Sequence, residues 1–283
     1  MRQLGIVEAG VTLARIEGYA EAWDRLTPEQ KRAEARKMEI FAAMVDRMDR
    51  NVGRLVNHLK HSGEFERTIF VFVSDNGPAG EGADRFARLP GMAAFLAASD
   101  TRYAVMGSKS SMLFLGRYWA QAASAPYRLF KGVTTEGGTR VPAFVTFAGA
   151  PQKGARRSAF ASIMDIAPTL LDAASLPIEP IVEGREVAPV RGRSMLPYLA
   201  TLSRYIHPDD EAITIELHGH RAVRQGPWKL LLLNRPAGDG TWALYNMNND
   251  PAEQHDLSAD FPERRRSMIE AWHKFAAETK IAD

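Results

Sequence analysis

Apolar residues recur at three- and four-residue spacing through Phe41, Met44, Val45, Met48, Val52, Leu55, Val56 and Leu59, the period of one apolar side of a long helix. Thr27-Pro28-Glu29-Gln30 ahead of it has the form of a capping box. Thr27 is the N-cap, Pro28 takes the first helical position, Gln30 reaches back, and Gly63 offers the stop. The pattern predicts a helix whose Phe41-to-Leu59 side is buried, with its Met residues as core filler. At Thr68 the period changes. Ile69-Phe70-Val71-Phe72-Val73 runs without alternation and halts at Asp75-Asn76-Gly77, which predicts a strand buried on both faces of a parallel sheet. Val141 to Phe147 reads as a second strand, with Pro142 tolerated at its start. Asp165 to Ala174 reads as a helix capped by Asp165, with Ile166, Leu170 and Leu171 on its apolar side.

Between Gly77 and about Pro126 the chain is rich in Gly, Ala and Ser with broken apolar clusters, a length of connection that calls for short helices or a binding site. Residues 177–210, with many Pro, Gly and Arg, read as a surface crossing. Beyond them Ala212 to Leu217, Arg221 to Arg224, Trp228 to Leu233 and Trp242 to Met247 are closely spaced strand candidates of an antiparallel sheet, and Phe261 to Lys280 supplies a closing helix. The expected organisation is an α/β part over residues 1–205, followed by a small antiparallel α+β subdomain over 206–283.

Composition adds limits more than directions. At 283 residues the chain can bury about three-quarters of its unfolded surface. Its formal net charge of +2 gives no footprint for nucleic acid. Without cysteine there is no disulfide, no zinc-thiolate site and no thiol nucleophile, so any metal binds through oxygen or histidine. The opening MRQLGIVEAGVTLARIEGYAEAW lacks a basic region followed by an apolar stretch, and no segment reaches the ~18 apolar residues of a membrane span. The expectation is a chain that, as given, is soluble and unexported, without a signal peptide or membrane contact, its compartment, bacterial cytoplasm or periplasm, left open.

Ligands of open α/β sheets bind just outside the carboxyl ends of the strands, where Asp75 and Asn76 stand. A carboxylate and an amide carbonyl are hard oxygen donors suited to Ca²⁺ or Mg²⁺, while Asp-Asn-Gly is equally ordinary turn chemistry. Lys131 offers a point charge to an anion, and Gly137 and Gly138 let backbone approach a ligand closely; a solvated lysine and a plain turn are the competing readings. Glu136 and Arg140 can pair across the Gly-Gly bend. His218 and His220 flank Gly219 after a strand and face one side only without a bulge.

Taken in order, strand-Ser74-Asp75-Asn76-Gly77, Lys131-Gly132 and Glu136-Gly137-Gly138-Thr139-Arg140-Val141-Pro142 resemble the sulfatases, particularly bacterial arylsulfatases of the alkaline-phosphatase-like superfamily. The resemblance continues through Ala161 to Leu171, Arg224-Gln225-Gly226-Pro227-Trp228-Lys229, Leu244-Tyr245-Asn246 and Asp250-Pro251-Ala252-Glu253. It implies that Asp75 and Asn76 are metal ligands, usually for Ca²⁺, that Lys131 contacts the sulfate of a sulfate ester substrate, and that Gly137 and Gly138 give backbone room at the pocket wall. It also implies a mixed or parallel sheet with flanking helices. The family's nucleophile is a formylglycine made from the Cys or Ser of a Cys/Ser-x-Pro-x-Arg signature ahead of the Asp-Asn pair, and the first 74 residues hold no such signature. Ser124-Ala125-Pro126-Tyr127-Arg128 fits the pattern but follows the pair, so it reads as a helix end, with Arg128 as an anion contact. The resemblance thus implies the C-terminal portion of a sulfatase whose N-terminal half is missing and which is inactive alone. A related phosphate-ester hydrolase and a non-catalytic binding protein are the alternatives.

Overall fold

The computed structural model describes residues 23–83, 87–147 and 154–281, together with positions 3, 10, 11 and 14, so most of the opening stretch with no leader pattern lies outside the described residues. Helix α1 (Pro28–His61) begins at the expected box: Thr27 N–H donates to Gln30 Oε1 at 2.9 Å and Gln30 N–H to Thr27 Oγ1 at 3.2 Å. Its 34 residues span about 51 Å. The pairs Glu34–Lys37, Arg36–Glu39 and Asp46–Arg50 lace its surface, each worth a few tenths of a kcal/mol.

The expected burial of its apolar side is not met. Phe41, Met44, Val45, Met48 and Leu55 are all exposed, Met44 by 66%, and no residue of α1 is buried. The near end has partners: Trp119 Nε1 donates to the Glu34 carbonyl at 3.0 Å, and Ile40 lies against Gly107. Periodicity creates an apolar stripe, but covering it takes another element, and beyond Ile40 only Val52, Val56 and Leu59 of the stripe are as much as half-buried.

Strands β1 (Phe70–Val73) and β2 (Ala143–Thr146) form a two-stranded sheet. Phe144 stacks on Phe70 and Phe72 at centroid distances of 6.1 and 5.2 Å. Every residue of β1 is half-buried and β2 is its one strand neighbour among the described residues, so burial on both faces is not seen there. Between them lie the short helices α2 (Met92–Ala97), α3 (Gly116–Ser124) and α4 (Glu136–Thr139).

The contacts group the chain into two compact units. One contains residues 58–72 and 143–211. Here α5 (Ile166–Ala173) follows a 3₁₀ turn, Ile163–Asp165; Asp165 stands at the N-cap position of α5 as expected but gives it no side-chain cap bond, and the capping box is that of Ser162 on the 3₁₀ turn. Ser162 Oγ accepts from Met164 N–H, while Asp165 Oδ2 accepts from Ser162 N–H at 2.7 Å. The expected apolar side also differs: Leu170 is exposed, and Pro168 and Thr169 are buried. A two-residue ladder of β3 (Ile181–Val182) and β4 (Arg185–Glu186) and a turn of helix α6 (Leu196–Leu199) lie in the crossing, whose apolar residues Ile178, Ile181 and Val182 are exposed. Buried Asp165 anchors it by accepting from Arg193 N–H at 2.8 Å and meeting His207 Nε2 at 2.9 Å.

The other unit contains residues 1–57, 73–142 and 212–283. Strands β5 (Ala212–Leu217), β6 (His220–Gln225), β7 (Trp228–Leu232) and β8 (Trp242–Asn246) form an antiparallel meander, and α7 (Pro262–Thr279) closes it. Val223, Leu230 and Leu244 align across β6, β7 and β8 and pack on Met268 and Trp272 of α7. Their neighbours Ala222, Leu231 and Tyr245 point the other way, onto Leu129 and Val133. The sheet is therefore covered on both faces, which is why Leu230 to Leu233 run apolar without alternation.

Candidate functional site

Strand β1 ends at Val73, and the next residue, Ser74, donates its hydroxyl to the Asn76 carbonyl at 3.1 Å and rounds the turn. The Asn76 carboxamide donates through Nδ2 to the Gly77 carbonyl at 2.9 Å, which orients the amide and leaves its oxygen as the acceptor end. Asp75 is exposed. Gly77 is buried, and its N–H donates to the Gly138 carbonyl at 2.9 Å. A Cβ at Gly77 would stand 2.0 Å from the Gly137 carbonyl oxygen, so the two turns touch backbone to backbone.

The Lys131 loop meets the same turn from its other side: Lys131 N–H donates to the Pro78 carbonyl at 3.0 Å, and the Phe130 ring covers Gly80. Gly137 N–H donates to the Arg128 carbonyl at 3.2 Å. Added Cβ atoms at Gly137 and Gly138 would lie 2.1 Å from the carbonyl oxygens of Leu129 and Val133. Both glycines are buried, and their close approach is to the protein's own backbone. Asp75-Asn76, Lys131 and Gly137-Gly138 thus come from three separate segments joined by main-chain hydrogen bonds, with the Lys131 side chain exposed.

The donor chemistry of Asp75 and Asn76 fits a hard cation such as Ca²⁺ or Mg²⁺, but two residues supply part of the six to eight oxygens that Ca²⁺ takes. Among the described residues no group of three or more His, Cys, Asp or Glu is arranged to hold a metal ion. His218 and His220 belong to the tight turn of the β5–β6 hairpin, in which His218 and Gly219 carry φ of +54° and +79°. His220 Nδ1 accepts from Asn234 N–H at 3.1 Å; burial and then the nearby His218 hold its imidazole below the usual range.

Ser124, in the Ser-x-Pro-x-Arg look-alike, ends α3 with a buried hydroxyl that donates to the Leu129 carbonyl at 2.7 Å. Gln121 Oε1 accepts from Leu129 N–H at 2.6 Å, and Leu129 holds a left-handed φ of +60°. The motif is a brace for the Lys131 loop. Its arginine does contact an anion, the Glu253 carboxylate, at 3.3 Å.

That carboxylate belongs to a buried charge cluster that motif reading did not find. Lys229 Nζ lies 2.7 Å from Glu253 Oε1 and 2.9 Å from Glu136 Oε1, and Arg140 pairs with Glu136 at 3.6 Å, as the Gly-Gly bend suggests. Burial pushes the Glu136 carboxyl up, but the Lys229 ammonium together with the Arg224 and Arg140 guanidiniums outweighs this and holds it below the usual range. Burial depresses Lys229, and the Glu136 and Glu253 carboxylates outweigh it and raise its pKa. The Arg224 guanidinium, half-buried beside them, is lowered by desolvation. The sequence did carry a signal: a lysine inside the apolar strand Trp228-Lys229-Leu230-Leu231, on the sheet face that turns toward the Lys131 loop, requires a buried anion.

Comparison with known proteins bears on the family. A family model described as Sulfatase matches residues 14–176, and a second, described as N-sulphoglucosamine sulphohydrolase, C-terminal, matches residues 127–277. An uncharacterised sulfatase of Schizosaccharomyces pombe is 34% identical over 99% of this chain and 50% of its own length. An arylsulfatase of Klebsiella aerogenes is 30% identical over 69% of this chain and 41% of its own. The crystal structure of Ps i-CgsB superposes with a TM-score of 0.60 at 25% identity, covering 93% of this chain and 47% of that one. The chain spans half or less of the length of these relatives. The fold is mixed α/β, and with a Sulfatase family model over more than half of its residues the chain belongs to the sulfatase family.

Proposed function

We propose that this chain is the C-terminal portion of a sulfatase that hydrolyses sulfate monoesters, with aryl sulfates as the first substrates to try. The observation that carries the reading is the joining of the Asp75-Asn76 turn to both the Lys131 loop and the Gly137-Gly138 turn by the bonds Gly77 N–H to Gly138 and Lys131 N–H to Pro78. Asp75 and Asn76 hold part of the shell of a divalent cation, Ca²⁺ before Mg²⁺. Lys131, exposed on its loop, places an ammonium against an oxygen of the sulfate and favours the charge that builds there during transfer. Gly137 and Gly138 keep the pocket wall thin, because any side chain there would displace backbone. A formylglycine, supplied by a preceding segment, contributes the nucleophilic hydroxyl of a hydrated aldehyde. In this reading β1 and β2 are part of a larger, parallel sheet, and the antiparallel part from about residue 206 is a C-terminal subdomain.

The polypeptide on its own is then inactive, since no placed charge replaces an absent nucleophile. It also binds Ca²⁺ weakly, with a Kd of about 1 mM or above, as two donor residues imply. Calorimetric titration tests the second point, and tight stoichiometric binding would contradict it. In a protein carrying the upstream half, Lys131→Ala and Asp75→Ala should each lower aryl sulfate turnover by about 10²-fold or more. Equal turnover of aryl phosphate, or no loss in either variant, sinks the assignment.

A further inference from the structure

Lys229 and Glu253 touch neither the Asp75-Asn76 turn nor the Lys131 side chain, yet the path between them and that turn is short and continuous. Glu253 Oε1 accepts from the N–H of Glu136, the first residue of the Gly137-Gly138 turn, at 3.1 Å. Its Oε2 accepts from Arg128 Nε at 3.3 Å, and the Arg128 carbonyl in turn accepts from Gly137 N–H at 3.2 Å. One carboxylate therefore fixes the start of the turn directly and its next residue through Arg128. Lys229, 3% exposed, is the ammonium that neutralises Glu253 and Glu136 together. The turn so held presents the Gly138 carbonyl to Gly77 N–H, one residue after Asn76.

We propose that Lys229 and Glu253 are positioning residues, which set the Gly137-Gly138 turn and through it the aim of the Asp75 and Asn76 oxygens. Stability alone does not call for this arrangement, because buried ion pairs are commonly no better than apolar residues of the same volume. Glu253 moreover keeps a left-handed φ of +55°, a conformation that costs a non-glycine residue energy and persists where the surroundings fix it. Tyr245 closes the cluster, its hydroxyl 3.5 Å from the Arg128 guanidinium. The inference rests on the reading of Asp75 and Asn76 as cation donors, and its test separates the two.

The test is amide hydrogen exchange by NMR on the full chain. Gly77 and Lys131 report the joined loops, and Leu230 and Leu244 report the sheet. Lys229→Met strands two carboxylates, while Glu253→Gln keeps the shape and removes the charge, so the second variant remains informative if the first fails to fold. Both should speed exchange at Gly77 by about tenfold or more relative to Leu230 and Leu244. Equal acceleration at all four amides, or none at Gly77, overturns the proposal. Mn²⁺ at millimolar concentration is added separately to the unsubstituted chain. Selective broadening of Asp75 and Asn76 resonances there, reduced in Glu253→Gln, completes the support. Broadening absent from the unsubstituted chain counts against the cation reading whatever the exchange shows, and broadening unchanged in Glu253→Gln overturns the positioning role.

Discussion

Replacing Gly77 by alanine tests the joint on which the site depends. The ideal Cβ would sit 2.0 Å from the Gly137 carbonyl oxygen and 3.1 Å from the Gly138 Cα. A carbon–oxygen contact of about 3.3 Å demands a retreat of about 1.3 Å. That movement draws Gly77 N–H away from the Gly138 carbonyl, now 2.9 Å distant. Overpacking costs about 1–3 kcal/mol and an unpaired buried N–H about 1–3 more, so a loss of about 2–6 kcal/mol is expected. The obstacle is backbone, not the tip of a flexible side chain, so it has no cheap relaxation. Gly53 is the control, because a Cβ there meets nothing within 4 Å and the residue lies inside α1. Gly53→Ala should stabilise by up to about 1 kcal/mol through helix propensity. Equilibrium urea unfolding, followed by the fluorescence of Trp228, Trp242 and Trp272, reads the unit that holds the joint. A Gly77→Ala protein within about 0.5 kcal/mol of the parent, with the urea slope unchanged, would refute the backbone contact and with it the joining of the three segments.

Other outcomes follow from the same structure. Trp272→Ala empties the space between α7 and Val223, Leu230 and Leu244 and should cost about 3–5 kcal/mol, seen as a lower urea midpoint. The Glu136 carboxyl is held below its usual range, so its contribution is present at neutral pH and lost as pH falls through the folded-state value; the Lys229 ammonium is raised, so its contribution is present at neutral pH and lost as pH rises past its own. Urea midpoints measured against pH should therefore plateau between about pH 5 and 10, and Glu136→Gln should flatten the acid limb; an unchanged limb would contradict the assignment. On α1, Met44→Lys with Met48→Lys should reduce light scattering at high concentration while shifting stability by less than about 0.5 kcal/mol, since both residues are exposed. A large loss of stability would show instead that the stripe is packed.

The sequence by itself determined everything that is decided within a few residues. The Thr27–Gln30 box and the three- and four-residue spacing marked α1, turn residues separated the four strands of the sheet, and Pro262 opens a closing helix that runs to Thr279. The order of Asp75-Asn76, Lys131 and Glu136-Gly137-Gly138 was enough to point to the family, because each motif is local and only their succession is specific. Tertiary structure decided what such signals leave open. An apolar stripe on α1 does not say whether anything lies over it, and here Met44 and Met48 face outward. Asp165 stands at the N-cap of α5 as its sequence suggests, but its carboxylate is engaged by Ser162, Arg193 and His207 and not by the first turn of that helix. Lys229 meets Glu136 across 93 positions and Glu253 meets Glu136 across 117. No periodicity spans such distances; those charges find each other because a sheet covered on both faces leaves a buried lysine no water, and only the path of the folded chain could bring its carboxylates to it.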